Sequence, residues 1–177
     1  LLTVPLFDRP RGDEQVLGDF TSLMLVARQG AAGTLRDRAR ALYAHVLRGL
    51  EHRGVDALEA LEALRASGGK HIAAPVVFTS FLPVQEQLGG AGSMGDGVGA
   101  SVVHASSVTP QVWIDHQLFT LGGALHFTWD CVDELFPPGV LDAMFAAHSG
   151  FLAALADDPS LWGALPAIPL GPAEREL

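Results

Sequence analysis

The stretch Thr109-Pro-Gln-Val-Trp-Ile-Asp-His-Gln117 combines a carboxylate, an imidazole and two carboxamides with apolar residues that favour a β-strand. A solvated loop has no need of Val112 and Trp113, and a strand in a purely apolar core has no need of Asp115. Polar groups in a half-buried strand cost about 1–3 kcal/mol each when they lack a partner. The stretch therefore predicts a strand that lines a pocket or closes a tight polar network.

A second strand with a polar end lies upstream, at Pro75-Val-Val-Phe-Thr-Ser80, where an apolar run finishes in two hydroxyls. If this strand lies beside the first stretch, Thr79 comes next to Asp115. A carboxylate can give or take a proton, and a neighbouring hydroxyl can orient it. The same pair also fits a simpler alternative, a Thr–Asp hydrogen bond that only ties two strands together.

The rest of the chain alternates between strand and helix patterns. Pro5 cannot donate to a ladder, so the strand Leu2–Phe7 is expected at a sheet edge. Further strands are predicted at Phe20–Ala27, Val102–Val103, Gln111–Ile114 and Ala124–Trp129, and helices after Thr34 and Asp56 and from Pro137, ending near Asp157. In the helix after Asp56, Leu58, Leu61 and Leu64 are expected to face inward. This order predicts an α/β fold, a mixed sheet with flanking helices.

Composition narrows the class of protein. The chain has 177 residues, enough for one domain or one lobe, and 49% of them are hydrophobic. Its net charge of −9 argues against nucleic acid as a partner, because nucleic-acid binding requires basic groups to neutralise phosphates. Cys131 is the only cysteine, so an internal disulfide and a cysteine-based zinc cluster are both excluded. No run of 18 apolar residues is present, which predicts neither a transmembrane helix nor a membrane partner.

One motif is misleading. Gly90-Ala-Gly-Ser-Met-Gly95 has the spacing of a dinucleotide fingerprint. Such a fingerprint needs a strand before it and a helix after it, and neither is predicted here. The segment is interpreted as a flexible loop, and the seven histidines show no metal-ligand spacing, so no bound cofactor or metal is expected.

Three segments closely resemble motifs of the heterocyclization domains of nonribosomal peptide synthetases. The family's PVVFTS-type strand corresponds to Pro75–Ser80, its TPQVW-[LI]-DHQ segment to Thr109–Gln117, and its GxLxxxWD strand to Gly123–Asp130. The segment Gly18–Ser22 also resembles the family's GDFTS region. These matches follow one another in the family's order over nearly the whole chain.

The resemblance implies one lobe of a chloramphenicol-acetyltransferase-like fold. Residues 1–160 would be the C-terminal lobe, and the proline-rich residues 161–177 would be a linker toward a downstream adenylation domain. The family's DxxxxD motif belongs to an N-terminal lobe that the chain lacks, so the isolated chain is expected to be inactive. Its expected location is the cytoplasm, and its expected partners are that lobe, the adenylation domain, and upstream and downstream peptidyl carrier domains.

The resemblance also implies a reaction. Such domains join a carrier-bound acyl or peptidyl donor to carrier-bound Cys, Ser or Thr, and then cyclodehydrate the product to a thiazoline or oxazoline. Asp115 would be the acid/base, and Thr79 would orient Asp115 or hydrogen-bond the intermediate. No cofactor of the chain's own is needed, since phosphopantetheine arms of the carrier domains bring both substrates.

The remaining candidates are substrate-binding residues, namely Ser80, Gln111, Trp113 and Gln117. Strand alternation would place Gln111, Trp113 and Gln117 on the face of Asp115, with His116 on the other. Trp113 fits either a tunnel wall or the core, with core preferred, and Gln117 fits either substrate binding or strand fixation. Trp129-Asp130 is interpreted as structural, through packing and capping of the strand end.

Two other functions stay open. The chain could be a noncatalytic scaffold that docks a neighbouring domain or a carrier protein. It could also be part of a condensation domain that makes only amide bonds. The stretch Thr109–Gln117 argues against the last alternative, because ordinary condensation domains lack it and carry an HHxxxDG motif in the other lobe.

Overall fold

The computed structural model describes residues 1–7, 9, 12–13, 15–27, 32–68, 73–82 and 109–165. Within these ranges lie strands β1 (Leu2–Phe7), β2 (Thr21–Val26), β3 (Val76–Ser80), β4 (Ile114–Leu121) and β5 (Ala124–Cys131), and helices α1 (Leu35–Glu51), α2 (Ala57–Ala66) and α3 (Val140–Asp157). Short 3-10 helices follow at Asp133–Leu135 and Pro159–Gly163. The predicted glycine loop at 90–95, the predicted strand at Val102–Val103 and most of the predicted linker lie outside the described residues.

The described strands form one sheet in the order β2-β1-β3-β4-β5. The outer pairs β1–β2 and β4–β5 are antiparallel, whereas β1–β3 and β3–β4 are parallel. The predicted mixed sheet is confirmed. The structure also pairs β3 with β4, which is the condition under which Thr79 was expected to lie next to Asp115.

The prediction that β1 is an edge strand is wrong. β1 pairs with β2 over its whole length and with β3 at Thr3 and Val77, so it lies inside the sheet. Proline removes a single N–H, and that N–H points to one side of a strand only. The recorded pairing with β3 is confined to Thr3, two residues before Pro5, so an interior place is compatible with this proline.

The strand predicted to begin at Gln111 begins instead at Ile114. Residues 109–112 form a turn in which the Val112 N–H donates to the Thr109 carbonyl at 3.2 Å. Pro110 occupies the second position, and Gln111 has a φ of 66°. Proline followed by a residue with positive φ is typical of a type II turn. The ladder starts only after this turn, where the Trp113 N–H donates to the Pro75 carbonyl at 2.7 Å.

A two-residue glycine turn joins β4 to β5. Gly122 and Gly123 have φ values of 58° and 78°, which favour a type I′ turn matched to the twist of antiparallel strands. The turn pairs Leu121 with Ala124, and the same register continues down the hairpin to Asp115 and Asp130.

The chain divides into two compact units, one made of Leu1–Ala27 with Gly49–Cys131 and the other of Arg28–Arg48 with Val132–Leu177. The first unit contains the sheet, and its buried apolar residues are Met24, Val26, Ala57, Val77 and Ile114. A β-carbon built on Gly49 would lie 2.6 Å from the Met24 Sδ, so glycine allows the end of α1 to approach β2 closely. Fully burying an apolar side chain of the size of Met, Val or Ile contributes about 1.5–3 kcal/mol.

Helix α2 packs against β2 in this first unit, and of its three predicted inward residues only Leu61 faces inward. Its N-cap is Asp56, as predicted, because the carboxylate accepts from the Leu58 N–H at 2.7 Å. Leu58 and Leu64 are 59% and 41% exposed, whereas Ala57 is 3% exposed. The inward face runs through Ala57, Ala60 and Leu61, at i, i+3 and i+4, so small alanines make the close contact.

In the second unit, α1 begins with a reciprocal cap. The Thr34 hydroxyl accepts from the Asp37 N–H, and the Asp37 carboxylate accepts from the Thr34 hydroxyl and N–H. The Thr34 hydroxyl, more than its N–H, holds the pKa of Asp37 below its usual value. The Leu35 N–H donates to the Ala164 carbonyl at 2.9 Å, so folded structure extends past the predicted domain boundary at residue 160.

Helix α3 bears on the prediction that the chain has no transmembrane helix. By length and composition alone, Val140–Asp157 would suffice to cross a membrane. A single helix of this kind is weak support for a membrane span, because core helices of water-soluble proteins have the same length and composition. The helix begins after Pro137 and Pro138 and ends at Asp157, as the sequence predicted.

Candidate functional site

The two faces of the sheet differ in chemistry, and one of them carries the candidate site. The registers place on one face, called here the carboxylate face, the residues Thr3, Val77, Thr79, Asp115, Gln117, Thr128 and Asp130. Residues that pair across a ladder point to the same side of the sheet. Three of these polar side chains, Thr3, Thr79 and Asp115, are only 6–8% exposed.

Asp115 is the most constrained polar group of this face. Its side chain is 6% exposed, and its Oδ2 accepts a hydrogen bond from the Gln117 Nε2 at 3.2 Å. Its Oδ1 is buried and has no hydrogen-bond partner among the residues that the structure describes. Leaving a buried acceptor unsatisfied costs about 1–3 kcal/mol, and more for a charged group. The carboxylate thus has one oxygen held by a hydrogen bond and the other buried without a partner among the described residues.

Thr79 lies close to this carboxylate but not directly opposite it. In the parallel β3–β4 ladder, Val77 pairs with Asp115 and Thr79 pairs with Gln117. Thr79 is 7% exposed and shares the carboxylate face. In the described part of the chain no hydrogen bond joins Thr79 to Asp115, and the bond from Gln117 holds the carboxylate instead. The Gln117 bond joins two residues of the same strand, so both roles left open for Gln117, substrate binding and strand fixation, stay predictions.

Three other predicted site residues are placed differently. Ser80 pairs with Leu118 and therefore points to the face opposite Asp115. Gln111 and Trp113 precede β4, so strand alternation does not extend to them. Trp113 is 46% exposed, which is inconsistent with the preferred placement in the core. Gln111 lies in the turn of residues 109–112, and Trp113 lies between this turn and the start of β4.

Asp130, interpreted from the sequence as structural, also lies near the candidate site. It pairs directly with Asp115 across the β4–β5 ladder and so shares the carboxylate face. The signal was present in the sequence, because Gly122-Gly123 lies midway between the two aspartates. Counting equal numbers of residues outward from a two-residue hairpin turn brings Asp115 opposite Asp130.

The opposite face is aromatic and apolar around β4. The His116 ring packs edge-on against Phe78, with 5.1 Å between the ring centroids, and lies 5.9 Å from the Trp129 ring. The prediction that His116 points away from Asp115 is confirmed by this packing. Trp129 serves packing, in agreement with its structural interpretation.

Nothing in the described ranges suggests a metal centre. Among those residues, no three His, Cys, Asp or Glu side chains are grouped so that they could hold a metal ion. The side chains of the carboxylate face can transfer protons and form hydrogen bonds.

The amino-acid sequence of the chain is similar to those of known proteins. The chain is 38% identical over 176 residues to pyochelin synthetase PchE of Pseudomonas aeruginosa, a match that covers 96% of the chain and 12% of that protein. It is 39% identical over 169 residues to phenyloxazoline synthase MbtB of a Mycobacterium species, covering 93% of the chain and 14% of that protein. The chain thus spans only a small part of these relatives. No protein-family model matches it.

Solved structures agree with these relatives. The nonribosomal peptide synthetase FmoA3 superposes with a TM-score of 0.80 at 32% identity, covering 99% of this chain and 19% of that one. The cyclization-docking bidomain of EpoB from Sorangium cellulosum superposes with a TM-score of 0.68 at 29% identity, covering 92% and 33%. The predicted fold, one lobe of the chloramphenicol-acetyltransferase-like architecture, is confirmed.

The fold and the buried carboxylate define a condensation-type part of a nonribosomal peptide synthetase. Within that class, the chain belongs to the heterocyclization domains of the condensation-domain superfamily.

Proposed function

We propose that this chain is the C-terminal lobe of a domain that forms an amide bond and then closes it into a thiazoline or oxazoline ring. The donor would be a carrier-bound acyl or peptidyl thioester, and the acceptor a carrier-bound Cys, Ser or Thr. The observation that carries the proposal is Asp115, buried on the carboxylate face with one oxygen held by Gln117 and the other without a partner among the described residues. Relatives named as pyochelin and phenyloxazoline synthases support it.

The chemistry explains why an anchored carboxylate is useful. After the amide has formed, the acceptor's thiol or hydroxyl attacks the amide carbonyl carbon and gives a ring with a hydroxyl group. That hydroxyl is a poor leaving group until it receives a proton. Asp115 delivers this proton, and general acid catalysis of this kind contributes about 10²–10⁴-fold to a rate.

Gln117 and Thr79 have supporting roles in this proposal. Gln117 holds Oδ2 of Asp115, so the carboxyl group cannot rotate freely away from its working position. Thr79, buried next to Gln117 on the same face, offers a hydroxyl to the intermediate rather than to Asp115. Gln111 and Trp113, which precede β4 in the chain, are proposed to contact the substrate.

The proposal includes partners that the chain itself does not contain. An N-terminal lobe would complete the active site, and carrier domains on either side would deliver their substrates on phosphopantetheine arms. An adenylation domain would follow the linker, and the whole assembly would work in the cytoplasm. The phosphopantetheine belongs to the carrier domains, so this lobe needs no resident cofactor.

The test replaces Asp115 in the two-lobe protein supplied with loaded carrier domains. Asp115→Ala is expected to leave amide formation intact and to lower heterocycle formation by about 10²–10⁴-fold. Mass spectrometry separates the two products, because the heterocycle is lighter by one water. Asp133→Ala, which removes an exposed aspartate from the first 3-10 helix, is the matched control.

Each alternative has its own outcome in this experiment. An unsubstituted protein that makes the amide but no heterocycle would be a condensation domain of the ordinary kind. A protein that makes neither product but binds a carrier domain would be a scaffold. Heterocycle formation unaffected by Asp115→Ala would remove Asp115 from the mechanism.

A further inference from the structure

Asp130 stands directly opposite Asp115 in the antiparallel β4–β5 ladder. Directly opposed residues of such a ladder have their Cβ atoms about 4.5–5.5 Å apart and project from the same face. Asp130 is half-buried, whereas Asp115 is only 6% exposed.

Two opposed carboxylates are an unfavourable choice for stability alone. Like charges placed directly opposite each other destabilise a sheet. Asp115 is buried, and within the described residues its carboxylate accepts a hydrogen bond from a neutral group, the side-chain amide of Gln117. Positions where a sequence breaks a local rule of this kind tend to be functional sites.

We propose that Asp130 works with Asp115 as a carboxylate pair that handles both protons of the ring-forming dehydration. The inference rests on the proposed cyclodehydration and adds a second residue to it. In carboxylate enzymes, two neighbouring acids commonly divide acid and base work in this way.

The dehydration step is balanced when the two carboxyl groups together carry one proton at its start. The cyclic intermediate carries a hydroxyl on the former carbonyl carbon and a hydrogen on the ring nitrogen. One carboxyl gives its proton to the hydroxyl, the C–O bond breaks, and water leaves. The nitrogen lone pair forms the C=N bond, and a carboxylate of the pair takes the proton from nitrogen. The pair ends the step with the single proton it had at the start, so no further reactant is needed.

The experiment uses the multidomain protein that contains this chain, with loaded carrier domains. Asp130→Asn keeps the shape of the side chain and removes its acid/base capacity. Heterocycle formation is expected to fall by about 10²-fold, with amide formation and the melting temperature little changed. Asp130→Glu is expected to recover part of the activity. Asp133→Asn, an exposed aspartate three residues further on, is the control and should leave both products unchanged.

The outcomes separate a chemical role from a structural one. Equal losses of amide and heterocycle, with a lowered melting temperature, would overturn the proposal because Asp130 would then only support the fold. Unchanged heterocycle formation would overturn it as well. If the two residues act as a unit, Asp115→Asn combined with Asp130→Asn loses no more activity than Asp115→Asn alone, and fully additive losses would contradict the pair. An unsubstituted protein without heterocycle product would instead overturn the proposed function, and this inference with it.

Discussion

The same strands present a packing face and a chemical face, and neighbouring residues in the chain belong to opposite sides. Ile114 and His116 pack among apolar and aromatic groups. Asp115 and Gln117, which alternate with them along β4, form a hydrogen bond on the carboxylate face. Both faces contain buried side chains, but they are buried for different purposes. On one face burial excludes water from apolar groups, and on the other it encloses groups that could otherwise hydrogen-bond to water.

The difference shows how a sheet can hold the proposed acid, Asp115, in a fixed position. Strand alternation guarantees that a residue following a core position points to the other side. The packing of Ile114, 7% exposed, therefore fixes the backbone from which Asp115 projects. Sites built on strands in this way are more precise than sites built on loops.

The largest expected effect on stability comes from truncating a buried side chain of the packing face. Ile114→Ala removes a buried side chain and is expected to lower the free energy of unfolding by about 2–5 kcal/mol. Asp115→Ala, one residue further on, should lower it much less, because the lost carboxylate makes one hydrogen bond and leaves its other oxygen unsatisfied. Denaturant unfolding of both variants measures the contrast. Equal losses would mean that the carboxylate face serves stability as well.

A smaller effect is expected from the two adjacent hydroxyls at the end of β3. Thr79→Val on the carboxylate face should slow heterocycle formation by about ten-fold, equivalent to about 1.4 kcal/mol. Ser80→Ala, which alters the opposite face, should leave the rate unchanged. Product ratios from the same loaded protein test the pair. A larger loss from Ser80→Ala than from Thr79→Val would show that the registers do not decide which side chain takes part.

The smallest effect concerns how closely Gly49, at the end of α1, approaches Met24 of β2. Gly49→Ala introduces a methyl group at the Met24 Sδ and is expected to destabilise the protein by about 1 kcal/mol, because overpacking outweighs the gain in helix propensity. Gly54→Ala is the control, since a β-carbon there meets nothing within 4 Å. Thermal unfolding compares the two. Stabilisation by Gly49→Ala would show that Met24 can move aside without cost.

Much of this arrangement is predictable from sequence, because it depends on local patterns. The caps at Thr34 and Asp56, the end of α3 and the strand of Pro75–Ser80 all follow from residue types next to one another. Motif resemblance, rather than any periodicity, identified the family.

The errors have physical reasons that lie beyond local patterns. The turn at residues 109–112 overrides the apolar pattern of Val112 and Trp113, although Pro110 at its second position was a usable signal. The face of Ser80 depends on register with β4, which no segment of the chain determines alone. The interior place of β1 depends on its pairing with a strand about 70 residues away.

The Gly122–Gly123 turn has a consequence for the order in which the molecule folds. Short hairpins close in about 1–10 μs, whereas pairings between distant segments wait for costly loop closure. Because that turn sets the hairpin register, Asp115 and Asp130 can meet early, as a product of local chain dynamics. Thr79 pairs with Gln117, which lies more than thirty residues further along the chain, so this contact requires the closure of a long loop. The proposed acid pair would thus form before Thr79 reaches the same face.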